Sequence, residues 1–230
     1  FDAAIEADPD NAQAYAWKAC TLGQAMVRGY VDKPMQEIMP EFSNLMSSAL
    51  SIDPNDFECH RLQCAVNTMM GDMKAALEHG KKAYDVNPND PRILQQYGEV
   101  LLKTGKTEEG CDLTLLALEY DPIAQGQTNS DKRKSDGVFG CVLDDRPDVG
   151  LEIASGMIDR SEKVLIYSAA LAIGSTGSLE SFSWLMDDLR NVDLAKIEEA
   201  IEEMGKFDVV VQSKMKEVFL DHILPLNEVA

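Results

Sequence analysis

The chain has 230 residues, a formal net charge of −19 and 45% hydrophobic residues. That hydrophobic share excludes wholesale disorder, and the charge, spread evenly along the chain, excludes a nucleic-acid surface, which needs clustered Lys and Arg against phosphate. The longest apolar stretch, Val164 to Ile173, falls well short of the roughly 20 residues of a membrane span; five cysteines (Cys20, Cys59, Cys64, Cys111, Cys141) without framework spacing predict reduced thiols in a cytoplasmic protein.

The chain opens on Ala4-Ile5-Glu6-Ala7-Asp8-Pro9, and the same phrase returns as Ala49 to Pro54, Ala83 to Pro88 and Ala117 to Pro122. Pro54, Pro88 and Pro122 are 34 residues apart, the period of a helical-hairpin solenoid. Each Asp-Pro or Asn-Pro pair stops a helix, because the residue before proline is pushed out of the helical region. Gly71 and Gly105 fall at the turns inside successive hairpins, where a glycine accepts the left-handed backbone that ends a helix. The second helices are therefore predicted over Asp72 to Asp85 and Lys106 to Tyr120. The first full unit, 12–56, is 45 residues long, so its extra residues are placed around Arg28 to Gln36. Phe1 falls inside a repeat, from which we expect the chain to be part of a longer protein.

Past Pro122 the proline marker is lost. Ile123 to Asp136 is polar and predicts a loop or a frayed helix start, with Asp131 to Lys134 a basic loop feature. Pro147 then opens a helix to Ile158, since proline suits a first turn. Ser161 is expected to cap Glu162 to Ile173, Ser178 to cap Leu179 to Arg190, and Asp193 to cap Leu194 to Met204, with Gly205 as its stop. In that helix Leu194, Ile197, Ile201 and Met204 make one stripe. A last helix is predicted from Asp208 to His222. Ser161 and Asp193, 32 residues apart, each open a helix pair, so 123–230 is predicted to hold degenerate hairpins under a capping helix. Continuing one stack and forming a separate unit both remain open.

Chemistry is sparse. His60 and Cys64 share a helix face and adjoin Cys59, but two or three ligands without a second cluster do not make a zinc site. The repeat register puts His60 and Cys64 in the core. His79 and His222 have no ligand-type companion at useful spacing. No phosphate loop is present, and Gly174 to Ser178 is an inter-helix turn. Asp144-Asp145, Asp187-Asp188 and the glutamates of 198–203 are expected on solvated faces. We expect no catalytic residue, no metal and no cofactor.

The repeat phrase and its fillers resemble the tetratricopeptide repeat (TPR) family. Leu94, Tyr97, Gly98, Leu101, Gly110, Ala117 and Pro122 occupy the family's large, small and terminal positions in one unit. His60, Gln63, Cys64, Ala76, Ala83 and Pro88 do so in the unit before, with Gly80 where an aromatic is usual. Tyr15, Ala19, Leu22, Phe42, Met46, Ala49 and Pro54 fill the enlarged first unit. The resemblance implies an all-α, right-handed α-solenoid of TPR hairpins: a partial repeat at 1–11, an enlarged repeat at 12–56, and repeats at 57–90 and 91–122. It also implies a concave groove that takes a protein or peptide, facing which lie Gln13, Ala16, Cys20, Gly23, Glu58, Arg61, Ala65, Thr68, Arg92, Gln95, Glu99 and Leu102. The carboxylate clamp of some members is missing, because Ala16 with Cys20, Arg61 with Ala65 and Gln95 with Glu99 stand in its places. Arg61 and Arg92 either hold an acidic group of the partner or pair with Glu58 and Glu99.

The opening of the chain, with its enlarged first unit and two regular ones, also resembles the repeat region of bacterial regulators. In those the repeats follow a class III adenylate or guanylate cyclase domain or a winged-helix domain. That implies a non-catalytic interaction module regulating an N-terminal output domain. The alternative is a free-standing adaptor that assembles partners in trans.

Overall fold

The computed structural model describes residues 1–27, 29–123 and 131–228, and every regular element among them is helical. The helices are α1 Asp2–Ala7, α2 Ala12–Val27, α3 Met35–Ile52, α4 Phe57–Met70, α5 Met73–Val86, α6 Pro91–Lys103 and α7 Thr107–Tyr120. They continue as α8 Asp131–Leu143, α9 Pro147–Ser155, α10 Glu162–Thr176, α11 Ser183–Leu189, α12 Leu194–Met204, α13 Val209–Val218 and α14 Leu224–Glu228. The chain packs as two compact units, Phe1–Tyr97 and Gly98–Ala230.

In the first unit α2 packs on α3, and α4 on α5, as hairpins. The turn between α4 and α5 forms as expected. Asp56 caps α4 by accepting from the Cys59 amide at 2.7 Å, Gly71 closes it at φ 80, and Asp72 caps α5 through the Ala75 amide at 3.1 Å. The enlargement of the first hairpin is shared out. α2 and α3 have 16 and 18 residues against 14 each in α4 and α5, and the remainder lies between α2 and α3. Ala12, Ala16, Ala19, Phe42, Leu45, Met46, Ala49, Cys59 and Leu62 form the core. Small residues on α2 let its backbone approach α3 and α4, which is what the recurrent alanines are for.

In the second unit the apolar run of Val164 to Ala172 is buried at every residue, in the middle of α10. A helix apolar all round belongs inside a bundle, and α8, α9, α12 and α13 all pack on it. Met215, Val218, Phe219 and Ile223 close over that core from the end of the chain.

Several details differ from expectation. Of the two alternatives for this segment, Asp131 to Asp136 is a helix start, that of α8, so the basic run is not a loop feature but lies in the first turn, with Arg133 buried against Asp121 at 2.9 Å. The rest of that predicted loop, 124–130, lies outside the described residues. Ser161 stands at the start of α10 without a side-chain capping bond. Ser178 does cap, through the Glu180 amide, but only the short 3-10 turn Leu179–Ser181. The chain bends at Phe182 before α11 begins, so Leu179 to Arg190 is not one helix. Asp193 caps α12 as expected through the Ala195 amide at 3.1 Å. Gly205 follows it at φ −63, in the right-handed region, so no left-handed stop is used there. The final helix is interrupted by a π-turn over Phe219–Ile223, in which Phe219 and Ile223 are buried and Leu220 is exposed.

Candidate binding site

The residues expected along the groove divide into a polar cluster and an apolar cavity within the first unit. The polar cluster gathers at the N-terminal ends of α2, α4 and α6. Glu58, in the first turn of α4, is wholly buried. It accepts from Arg61 on its own helix and faces Arg92 of α6, whose Nη1 lies 3.3 Å from Glu58 Oε2. Arg92 also makes a two-point contact with Asp90, Nη2 to Oδ2 at 2.6 Å and Nε to Oδ1 at 3.1 Å, and sits 5.2 Å above the Trp17 ring of α2. Trp17 Nε1 donates to Gln13 Oε1 at 3.1 Å, and Gln13 Nε2 in turn donates to Asp56.

Ion pairing favours the charged forms of Arg61 and Asp90. Burial works against the Arg61 charge, but its bonds to Glu58 outweigh that and keep the guanidinium above its ordinary value. Burial likewise acts to raise Asp90, and the Arg92 side chain and amide overcome it and hold the carboxyl below its usual range. Glu58 thereby ties α4 to α6, and α2 joins through Trp17 beneath Arg92 and Gln13 on Asp56.

The apolar part lies further along the same helices. Ala19, Cys20, Gly23, Gln24 and Met26 of α2, Ile38, Met39 and Phe42 of α3, and Leu62, Ala65, Val66 and Met69 of α4 line a cavity of about 140 Å³, open at one side. Cys20 joins the two regions: it lines the cavity, and Arg61 Nη2 approaches its Sγ at 3.7 Å. Met69 is 54% exposed at the mouth, and its neighbour Met70 is 69% exposed.

Of the predicted groove residues, Gln13, Glu58, Arg61 and Arg92 are therefore brought together, and Cys20, Gly23 and Ala65 line the cavity. Thr68 is half-buried with its hydroxyl donated to the Cys64 carbonyl at 2.8 Å. Gln95 is half-buried on α6. Arg61 and Arg92 pair with Glu58, as one of the two alternatives held; Glu99, in the other unit, bonds to Lys103 at 2.6 Å instead. Leu102 is buried in the core of the second unit. Trp17, Asp56 and Asp90 were not anticipated. Trp17 stands four residues after Gln13 on the same face, a spacing that was there to be used.

The histidines hold a second surprise. His79 does have a companion: its Nδ1 lies 2.9 Å from His60 Nδ1, with His60 Nε2 3.0 Å from the Pro54 carbonyl. A carbonyl only accepts, so His60 carries its proton on Nε2 and accepts at Nδ1, and His79 donates from Nδ1. His60 and Cys64 are buried core groups as the register implied, and among the described residues no three His, Cys, Asp or Glu side chains converge as a metal site. All five cysteines are free, and Cys20 is the one that is not buried. Among the described residues no helix is long and apolar enough to cross a membrane.

No family model matches this chain, and no curated protein matches it. Solved structures do. PilF of Pseudomonas aeruginosa aligns over 95% of this chain and 87% of its own, with a TM-score of 0.54 and 15% identity. A tetratricopeptide repeat protein from Parabacteroides merdae aligns over 99% and 80%, with a TM-score of 0.49 and 15% identity. At that identity the likeness to PilF speaks to fold alone, and it agrees with the packing described above: the chain is all-α and built of successive helical hairpins.

Proposed function

We propose that this chain is a non-catalytic protein-interaction module that docks a protein or peptide on the face formed by α2, α4 and the start of α6. One observation carries the reading: the open apolar cavity adjoins a pre-organised polar cluster, with Cys20 common to both. A concave apolar site with a few fixed polar groups is the usual form of a binding site. Holding Glu58 between two arginines sets the rim before any partner arrives, which lowers the entropy lost on binding. Gln13, Glu58, Arg61, Thr68, Arg92 and Gln95 remain the groove residues of this proposal within the first unit, now with Cys20, Gly23 and Met69 added; Glu99 belongs to the second unit and is left out of it.

The resemblance of 1–122 to the repeat region of bacterial multidomain regulators supports the finer reading. In it the module tunes an output domain, such as an adenylate or guanylate cyclase, of a cytoplasmic signalling protein. Binding on this face would favour one arrangement of the module over another, and that difference in affinity is the regulatory signal. The test is to delete residues 1–230 from the parent chain and measure its output with and without stimulus. Altered regulation is expected. Unchanged output together with a stoichiometric partner bound in trans would mark a free-standing adaptor instead, and unchanged output with no partner would end both readings.

A further inference from the structure

The cavity and its surroundings specify the chemistry of the partner, an inference that rests on the docking reading above. At about 140 Å³ the cavity is close in size to the roughly 150 Å³ apolar cavity that takes a single benzene ring, so it admits one large side chain and not two. Met26, Met39 and Met69 line it, and methionine adapts its shape to whichever apolar group enters.

Charge then selects what flanks that side chain. Phe1–Tyr97 carries 14 acidic against 8 basic residues. On α3, Glu37 and Glu41 are exposed beside the lining residues Ile38, Met39 and Phe42, and Glu41 is only loosely engaged, 3.6 Å from Lys18. No basic residue stands in the last turn of α4, so the carbonyl end of that helix leaves partial negative charge near Met69. Among the described residues the two arginines of the polar cluster give nothing back, because Arg61 is committed to Glu58 and Arg92 to Glu58 and Asp90.

We propose that the cavity anchors one large apolar side chain, Leu, Phe or Met, from a basic segment of another protein, whose flanking Lys or Arg residues face Glu37, Glu41 and the C-terminal end of α4. Cys20 supplies a direct readout of occupancy, since it lines the cavity and is the one cysteine not buried.

The experiment uses three fluorescent peptides: a leucine flanked by lysines, the same with glutamates for the lysines, and the lysine peptide with alanine for the leucine. Binding is read by anisotropy and by protection of Cys20 from N-ethylmaleimide. The lysine-leucine peptide should bind and protect Cys20, with about a tenfold or greater loss on replacing the leucine or raising salt from about 50 mM to about 500 mM. Gly23→Leu should abolish protection by filling the cavity. Its first added atom meets only Phe42 Cε2 at 3.9 Å, an ordinary contact, so the fold should survive. Glu37→Lys with Glu41→Lys, both on the surface, should reverse the preference between lysine and glutamate peptides. If the lysine and glutamate peptides bind alike and both protect Cys20, the basic partner is overturned while docking at this face stands. If no peptide protects Cys20, or Gly23→Leu binds as the unaltered chain does, both fall.

Discussion

Glu58 is the residue on which the first unit's polar face depends. It is wholly buried, so its charge is tolerable only with Arg61 and Arg92 on it. Glu58→Ala should cost about 3–5 kcal/mol, read as a drop in the urea midpoint, because it strands the largely buried guanidinium of Arg61. Replacing both Glu58 and Arg61 by leucine should recover much of that loss. A cost below about 1 kcal/mol for Glu58→Ala would mean the cluster holds nothing together. The histidine pair makes a pH prediction. Burial lowers both His60 and His79 from 6.5, against the nearby carboxylates Asp53, Asp56 and Glu78 and with the help of Lys82. Above 6.5 both are neutral folded and unfolded; as pH falls below it the unfolded chain takes protons first, and stability declines until the folded values are passed. Urea denaturation between pH 7.5 and 5.5 should show that loss, and His60→Gln with His79→Gln should flatten it. The resemblance to the repeat family was what grouped Gln13, Glu58, Arg61 and Arg92, which stand on three different helices. The pairing of Gln13 with Asp56, 43 residues away, depends on how hairpins stack and has no local signature.

At the scale of the element, glycines inside helices separate packing from propensity. Gly23 and Gly80 are both helical, and both should cost their helices about 0.5–1 kcal/mol relative to alanine. Gly23 has room, so Gly23→Ala should stabilise α2 by about that amount. At Gly80 an added Cβ would lie 2.6 Å from Tyr97 Cδ2 and 3.1 Å from Cys64 Sγ, so Gly80→Ala should destabilise by about 1–3 kcal/mol. Thermal melts of the two variants should move in opposite directions; the same sign in both would remove the packing argument. This also accounts for Gly80 standing where an aromatic is usual, because Tyr97 already occupies that space from α6. Hairpins with a proline stop and a glycine turn were legible to within a residue or two. In the second unit past Pro122 the starts of α9, α10, α12 and α13 were legible from a proline or a capping residue, whereas Leu179 to Arg190 was read as one helix and is not. The π-turn and the bend at Phe182 leave no periodic mark in the sequence, although Phe182, Phe219 and Ile223 all pack in the second unit's core. The cavity was illegible because Ile38 and Met39 of its α3 wall precede the pattern residue Phe42, in a stretch of the enlarged hairpin where the repeat assigns no position.

For the molecule as a whole the deciding quantity is its charge of −19. Such an excess repels itself in the compact state. Opposing it are surface pairs such as Lys81 with Asp85 and Arg190 with Asp187, all more than half exposed and each worth about 0–1 kcal/mol. Salt screens both terms, so the sign of its effect shows which is larger. Repulsion among unpaired carboxylates acts over many pairs at once, whereas each exposed bridge is already screened by water, so repulsion should win. Raising sodium chloride from about 10 mM to about 300 mM should therefore raise the melting temperature by about 2–6 °C, corresponding to roughly 1–2 kcal/mol for a chain of this size. The buried Glu58 cluster should be nearly indifferent to the same change, so the penalty of Glu58→Ala should hold constant across it. A basic peptide at the cavity should respond the other way, its affinity falling as salt rises. Folding strengthened and binding weakened by one titration is a pairing that apolar docking alone cannot produce. A melting temperature that falls with salt would instead place the exposed ion pairs, and not the excess of carboxylates, in control of stability.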